Sequence, residues 1–426
     1  MILNQNTRNI RLTTSSKQDM LVMTDYWFLF GMWIMVFWAI DPLGWKVDFI
    51  PVVKQFPFLA ITPAFVLVLL GKQLFPKKNS ATWSSGNNNI LIVIFIFSGF
   101  VTAGSVIARF INGIDNSFLT MGLYTLTAPL TAWFIGKSKN PLALVKNIIR
   151  VYIFWALVSV AMQMASFGET EVFHAREHLV IGILIFFYLI ATSSFAIASA
   201  IILIILATIV AAKNSAYLTA IFLLEFILIH SVVAKNNISK DHLYRWMQWA
   251  KFLSINLVVL GGLVLIYVFR SDKLPTGNPE YRMRTYEIAW QKFLNSPLWG
   301  TAFTGAATEK FDKYSVAVST QILPTHSDPL DILANGGLIG FLIWISIFVM
   351  LLWRWFAILK NPKLQSDSSL TPYLHTMFCV VFTGVIVCMF NPILNTPNLA
   401  WSFWALVGAL LAVLQTQSQP ILAVNS

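Results

Sequence analysis

Charged side chains are scarce in this chain of 426 residues, where Asp, Glu, Lys and Arg together make up 11%. A soluble domain uses about a quarter, so most of this chain cannot coat a water-facing surface. Acids are the scarcer sign, 18 against 29 bases, and the surplus of +11 asks for an explanation. Cysteine is nearly absent. Cys379 and Cys388 are the only two, nine positions apart in one apolar run. That spacing puts them on nearly opposite faces of a helix and argues against a disulfide between them. An internal repeat, a low-complexity tract and a second soluble domain are missing as well. The first twenty residues are polar and lack the apolar core and small-residue cleavage site of a removable signal peptide.

What is abundant is apolar: 57% of the residues are hydrophobic and the mean hydropathy is +0.71. Runs long enough to cross about 30 Å of hydrocarbon recur throughout. They fall at Leu21–Ile40, Pro57–Phe75, Ile90–Ala108, Ser117–Gly136, Asn147–Phe167, Leu179–Phe195, Ala196–Ala212, Ser215–Ala234, Ala250–Phe269, Asp331–Phe356, Tyr373–Phe390 and Asn398–Leu414. The expected fold is all-α: a polytopic membrane protein of about twelve transmembrane helices.

The run Leu179–Ala212 is too long for one span and short for two, and the charges arbitrate. With the N-terminus cytoplasmic and two spans there, the inward ends carry 17 Lys and Arg. The short outward loops hold five: Lys46, Lys54, Arg109, Arg176 and Lys213. A single crossing would move the basic groups at Lys235–Lys251 and Arg354–Lys363 outside, against the positive-inside bias. The net charge is thus mostly a topology signal, and no nucleic-acid partner is needed to explain it.

One long polar stretch, Arg270 to Pro329, interrupts this pattern and falls on the outer side of the membrane in that topology. It divides the chain into residues 1–269 with nine spans, a loop at 270–329, and residues 330–426 with three spans and a cytoplasmic C-terminus. Long loops without strong periodicity are usually functional or disordered, so chemistry is expected here. Thr276-Gly277-Asn278-Pro279 reads as a turn, after which Met283, Tyr286, Trp290, Phe293 and Leu294 recur at helical spacing until Asn295-Ser296-Pro297. The spacing predicts an amphipathic helix at the membrane surface, its aromatic side toward lipid or the bundle. Arg282 and Arg284 open it. Two residues apart means about 200° of rotation, so a regular helix cannot aim both at one small anion. Solvated arginines are one reading. The other is that at least one grips a phosphate through a two-pronged guanidinium contact.

At the loop's other end, Asp328, Pro329 and Asp331 fit the N-cap, first and third positions of the tenth span, a structural role for both acids. His326 has no such explanation. Near a helix N-terminus its neutral form is favoured, which suits a general base acting on a hydroxyl, although loop histidines are commonly passive. Gly336-Gly337-Leu338-Ile339-Gly340 carries a small-xxx-small spacing that allows close approach of another helix backbone. His174-Ala175-Arg176-Glu177-His178 spells the H-x-x-E-H metal pattern. It lies in a short link between spans and has no third ligand in view, so no metal is expected. It reads instead as an interfacial segment whose Arg176 or His178 helps line the outer cavity. Glu225, inside the eighth span, is either functional or a neutral group locking two helices. Lys213 either snorkels to the interface or is a second phosphate ligand.

The residues His326-Ser327, then nine others, then Gly337-Leu338-Ile339-Gly340 resemble the histidine motif of the O-antigen ligase and polymerase superfamily. Arg282 through Tyr286 to Pro297-Leu298-Trp299-Gly300 resembles that family's arginine-led helix, with Tyr286 where tryptophan is usual. Ala212-Lys213-Asn214-Ser215-Ala216 resembles its Ser-Arg-containing turn, with lysine in place of arginine. The resemblance implies a glycosyltransferase working at the periplasmic face of the inner membrane. Its donor would be a glycan on undecaprenyl pyrophosphate and its acceptor, for a ligase, the lipid A–core oligosaccharide. It also implies an inverting reaction without metal or cofactor. His326 would be the base and Arg282 the catalytic cation, with Arg284, Lys213, Arg176 and His178 as substrate-binding candidates. A polymerase using the same donor is the alternative. A second substantial outward loop, common in polymerases, is absent here. A membrane transporter is the alternative from another class, but Glu225 is the only strong ionisable group deep in a span.

Overall fold

The computed structural model describes residues 21–41, 85–113, 118–165, 176–191, 193, 195–202, 221, 278–304, 325–359 and 370–423. The described residues are helices and turns, with no strand among them. In chain order we label α1 (Met23–Ile40), α2 (Ser85–Val106, continued by a π-helical turn at Ile107–Ile111), α3 (Phe118–Thr125), α4 (Thr127–Gly136) and α5 (Pro141–Ala165). There follow α6 (Glu177–Ile190), α7 (Asn278–Asn295), α8 (Asp328–Leu359), α9 (Thr371–Val387) and α10 (Pro397–Ala423). Five stretches are long and apolar enough to cross a membrane: Met23–Ile40, Asn89–Ile111, Phe118–Gly136, Pro141–Met162 and Asp328–Leu359. His178–Ile190, Thr371–Val387 and Asn398–Leu414 are shorter apolar helices. The spans expected at Pro57–Phe75, Ser215–Ala234 and Ala250–Phe269 lie outside the described residues.

Two expected spans are interrupted. Ser117–Gly136 splits between α3 and α4 because Pro129 has no N–H to offer the Thr125 carbonyl, and its ring crowds that turn. The run Leu179–Ala212 breaks at Ala191, with helix again from residue 195. The break falls four residues before the expected end of the sixth span at Phe195.

Helix α10 is the hub. It packs against α1, α3, α4, α5 and α9, and every residue from Leu399 to Val407 is buried. A helix apolar on all sides belongs inside a bundle. Lipid is as apolar as leucine, so close packing of small residues must hold such helices together. Gly408 lies directly against the Ala128 carbonyl of α4, and Gly384 of α9 against the ring of Phe403. Outward faces carry Phe95 and Ile96 of α2 and Leu342, Val349 and Trp353 of α8, all exposed.

Side-chain bonds sort the helix termini into two ends. At one end, Ser138 after α4 donates to Asp25 of α1 at 2.9 Å, and Arg150 lies 5.9 Å from the Tyr373 ring of α9. At the other, Asn398 of α10 donates to the Trp38 carbonyl at 3.0 Å, and Asn112 after α2 to the Thr304 carbonyl at 3.3 Å. The N-terminus of α8 and the whole of α7 sit at this second end.

Gly408→Ala tests the hub. Alanine gains about 1 kcal/mol in helix propensity over glycine. A methyl group there collides with the Ala128 carbonyl, backbone that cannot swing aside, and such overpacking costs about 1–3 kcal/mol. The collision should win, lowering the melting temperature of the detergent-solubilised protein. An unchanged or raised midpoint would mean that α4 and α10 are not in this contact.

Candidate active site

The amphipathic helix expected in the loop is α7. It starts at Asn278, within the predicted turn, so Arg282 stands in its second turn and not its first. Its Thr285 and Ala289 side is buried, and Trp290 and Leu294 are exposed. The buried side packs on α8. The pattern ends at Asn295 as expected, followed by turns through residue 303.

Those turns meet a break in α8. Gly337 has φ +61° and ψ −167°, so the helix is interrupted there. The N–H groups of Leu338 and Ile339, released by the break, donate to the carbonyls of Pro297 and Leu298 at 2.8 and 3.1 Å. The Asn335 carbonyl accepts the N–H of Phe303 at 3.0 Å. A Cβ on Gly337 would collide with the Leu298 carbonyl. The Gly336–Gly340 spacing therefore does serve close approach, but of an irregular turn and of the rings of Phe303 and of Phe100 from α2, not of a helix backbone. Phe303 is fully buried and meets Phe100 and Phe118 edge-on at 5.5 and 5.2 Å.

Polar side chains stitch α7 to the start of α8. Lys292 Nζ donates to Asn335 Oδ1 at 2.6 Å, and Asn335 Nδ2 to the Asp331 carbonyl at 2.8 Å. Asp331 in turn bonds back to the N–H and hydroxyl of Thr325. Asp328 differs from its expected role as the N-cap of its own helix. Its buried carboxylate accepts the N–H of Leu394 at 2.7 Å and Asn395 Nδ2 at 3.3 Å, and its own N–H donates to the Cys388 carbonyl at 2.9 Å. It ties α8 to the turn between α9 and α10.

His326 lies between two buried, bonded neighbours, Thr325 and Ser327, joined by the Ser327 N–H to Thr325 Oγ1 at 3.1 Å. Its backbone is left-handed, φ +60°, a region that costs a non-glycine residue about 1–2 kcal/mol. Arg282 Nη1 donates to the Phe390 carbonyl at 2.9 Å. The guanidinium also bonds the Tyr286 hydroxyl, whose pKa burial raises against the opposing pull of that charge. Arg282 and the segment carrying His326 thus meet the same turn, through the carbonyls of Phe390 and Cys388.

Arg284 is on α7, and its side chain is outside the described residues, as are Lys213, His174 and Glu225. Arg176 and His178, expected to line an outer cavity, are turned into the bundle. Arg176 is 5% exposed, with Nε 2.8 Å from the Ala39 carbonyl and Nη2 3.9 Å from Asp41, at the C-terminus of α1. His178 is fully buried against Gly384 and the Phe403 ring. Among the described residues no three His, Cys, Asp or Glu side chains gather as a metal site. Sequence reasoning missed Lys292, Asn335 and Asn395. The run Asn391-Pro392-Ile393-Leu394-Asn395-Thr396-Pro397-Asn398, polar and proline-bounded between two apolar helices, was the available signal for Asn395.

A protein-family model described as O-antigen ligase matches residues 178–345, a stretch holding Lys213, Arg282, His326 and the glycine-rich break. No curated protein matches the chain. The match supports ligase- or polymerase-type function in a multi-pass membrane protein, which the apolar helices also indicate.

Gly337→Ala and Gly340→Ala separate the break from ordinary packing. At Gly337 a left-handed backbone and a backbone collision combine, for a loss of about 2 kcal/mol or more. At Gly340 the new methyl would stand 3.2 Å from a Phe100 ring carbon that can yield. The thermal midpoint should therefore fall much further for Gly337→Ala, and equal shifts would refute the break.

Proposed function

We propose, for a chain whose residues 178–345 match the O-antigen ligase family model, glycosyl transfer from undecaprenyl pyrophosphate to the lipid A–core oligosaccharide. The work would be done at the periplasmic face of the inner membrane. His326 acts as general base on the acceptor hydroxyl. As that proton moves to the imidazole, the acceptor oxygen bonds the anomeric carbon and the bond to the pyrophosphate oxygen breaks. A single displacement of this kind inverts the anomeric centre. Charge then grows on the leaving pyrophosphate, where a guanidinium offers strong, permanently charged donors. Arg282 supplies them, with Arg284 and Lys213 as further phosphate ligands.

One observation supports this reading above the rest. Arg282 and the His326 segment come from opposite ends of the loop, yet both bond the turn that begins at Cys388. A displacement needs its base and its leaving-group cation around one reacting centre. The chain-specific feature at the base is the left-handed backbone at His326, a half-buried residue between two buried neighbours. Amphipathic lipid substrates also account for a site built on membrane helices and not on a separate soluble domain.

The roles divide cleanly by experiment. His326→Ala should leave binding of the undecaprenyl-pyrophosphate-linked donor nearly intact while slowing single turnover by about 10²–10⁴. Arg282→Ala should weaken donor binding and slow turnover together, because its contact strengthens as the phosphates leave. Arg282→Lys should rescue only in part, since an ammonium keeps the charge and loses the fork. Wild-type transfer by His326→Ala would remove the base from this mechanism.

Metal dependence gives a second check. Purified protein should transfer glycan undiminished in EDTA and carry no stoichiometric zinc, since fixed cations alone can stabilise the leaving group. Activity lost in EDTA and restored by added metal would overturn the arginine-based reading.

A further inference from the structure

The bonds that hold Arg282 in place lead back to Asp328. Arg282 grips the Phe390 carbonyl, and Phe390 stands in the turn between α9 and α10. Asp328 holds that turn on both sides of Phe390. Its N–H takes the Cys388 carbonyl before it, and its carboxylate takes the Leu394 N–H and the Asn395 amide after it. Asn395 Nδ2 also lies 3.4 Å from Asp331, so the two acids share one amide. All these groups are buried or half-buried, where a hydrogen bond to a charged acceptor is strong and its loss is costly.

We propose that Asp328 is a positioning residue for Arg282: it fixes the Phe390 carbonyl, and through it the guanidinium that faces the pyrophosphate. This rests on the reading of Arg282 as the phosphate-binding cation. The competing role is a plain helix N-cap. Against it, the described bonds of the Asp328 carboxylate run to residues 388–395 and not to the first turn of α8.

The two roles rank conservative substitutions differently. Asparagine and serine are both good N-caps, so a cap predicts Asp ≈ Asn ≈ Ser, all well above Ala. A tie to the Leu394 N–H predicts another order. The asparagine carbonyl reaches as far as the carboxylate, with a weaker, uncharged bond. The serine hydroxyl is too short. The expected order is therefore Asp, then Asn, with Ser no better than Ala.

The experiment uses the full-length protein purified in detergent. It measures dissociation constants for undecaprenyl pyrophosphate and single-turnover glycan transfer for Asp328→Asn, Asp328→Ser, Asp328→Ala, Arg282→Ala and the Asp328→Ser/Arg282→Ala pair. Asp328→Ser should weaken undecaprenyl pyrophosphate binding about tenfold or more, with Asp328→Asn intermediate. Adding it to Arg282→Ala should produce no further loss, because a residue acting only through another cannot be missed once that other is gone. Wild-type binding by Asp328→Ser, or losses that multiply in the pair, would overturn the proposal. Should Asp328→Ala fail to fold, the asparagine–serine comparison still decides. Unaltered binding and transfer by Arg282→Ala would instead bring down the function on which the proposal rests, a separate and visible outcome.

Discussion

Backbone N–H and C=O groups inside an apolar bundle have no water to turn to, and an unpaired one costs several kcal/mol. Regular helices satisfy this constraint internally. At the end of the bundle that holds α7, three segments are irregular: the turns of residues 296–303, the break at Gly337, and the turn after α9. Each must be paired by something else. Pro297 and Leu298 pair with the α8 break, Asn335 with Phe303, Asp328 with Cys388 and Leu394, and Arg282 with Phe390. The polar residues of the site are thus, before any chemistry, the groups that make its irregular backbone tolerable.

That dependence explains why strain collects here. Gly300, Ala302, Phe303, His326 and Gly337 have positive φ, five of the seven such residues among those described. Three of the five are not glycine. Each left-handed non-glycine residue costs about 1–2 kcal/mol and persists only where its neighbours over-determine it. For Phe303 the neighbours are two aromatic rings and the Asn335 carbonyl. For His326 they are the Thr325–Ser327 bond and the Asp328 ties just beyond it. These bonds hold the backbone of residue 326 in its left-handed turn.

The helices were legible because their signal is local. Apolar length marked the spans of α1, α2, α5 and α8, the 3.6-residue period marked α7, and Asn295-Ser296-Pro297 marked its end. Gly336 to Gly340 announced close approach, though not to what. Non-local bonds carried no such mark. Asp328-Pro329-Leu330-Asp331 has the local spelling of a helix cap, and nothing nearby in the chain points to a partner 66 residues on. Arg176 and His178 misled for a similar reason. In sequence they belong to an outward link, but a guanidinium can also close the C-terminus of a helix, and Arg176 does so for α1 at the Ala39 carbonyl. The π-helical turn at Ile107–Ile111 had no readable sign in the sequence at all.

A site whose cations and acids also hold its backbone cannot be read from loss of activity alone. Removing Asp328 strands the Leu394 N–H, and removing Lys292 leaves Asn335 Oδ1 without its 2.6 Å donor. The first loss loosens the turn between α9 and α10 and the second the seam of α7 on α8, and activity would fall whether or not the side chain ever meets substrate. His326 is the exception by construction. The hydrogen bonds of its neighbours are made by the hydroxyl of Thr325, the N–H of Ser327 and both the N–H and carboxylate of Asp328. Replacing its imidazole leaves those bonds standing, and an alanine with φ +60° carries a left-handed backbone cost of the same order, about 1–2 kcal/mol. The proposed chemistry and the scaffold can therefore be tested apart at this residue, where folding and turnover are measured on one variant.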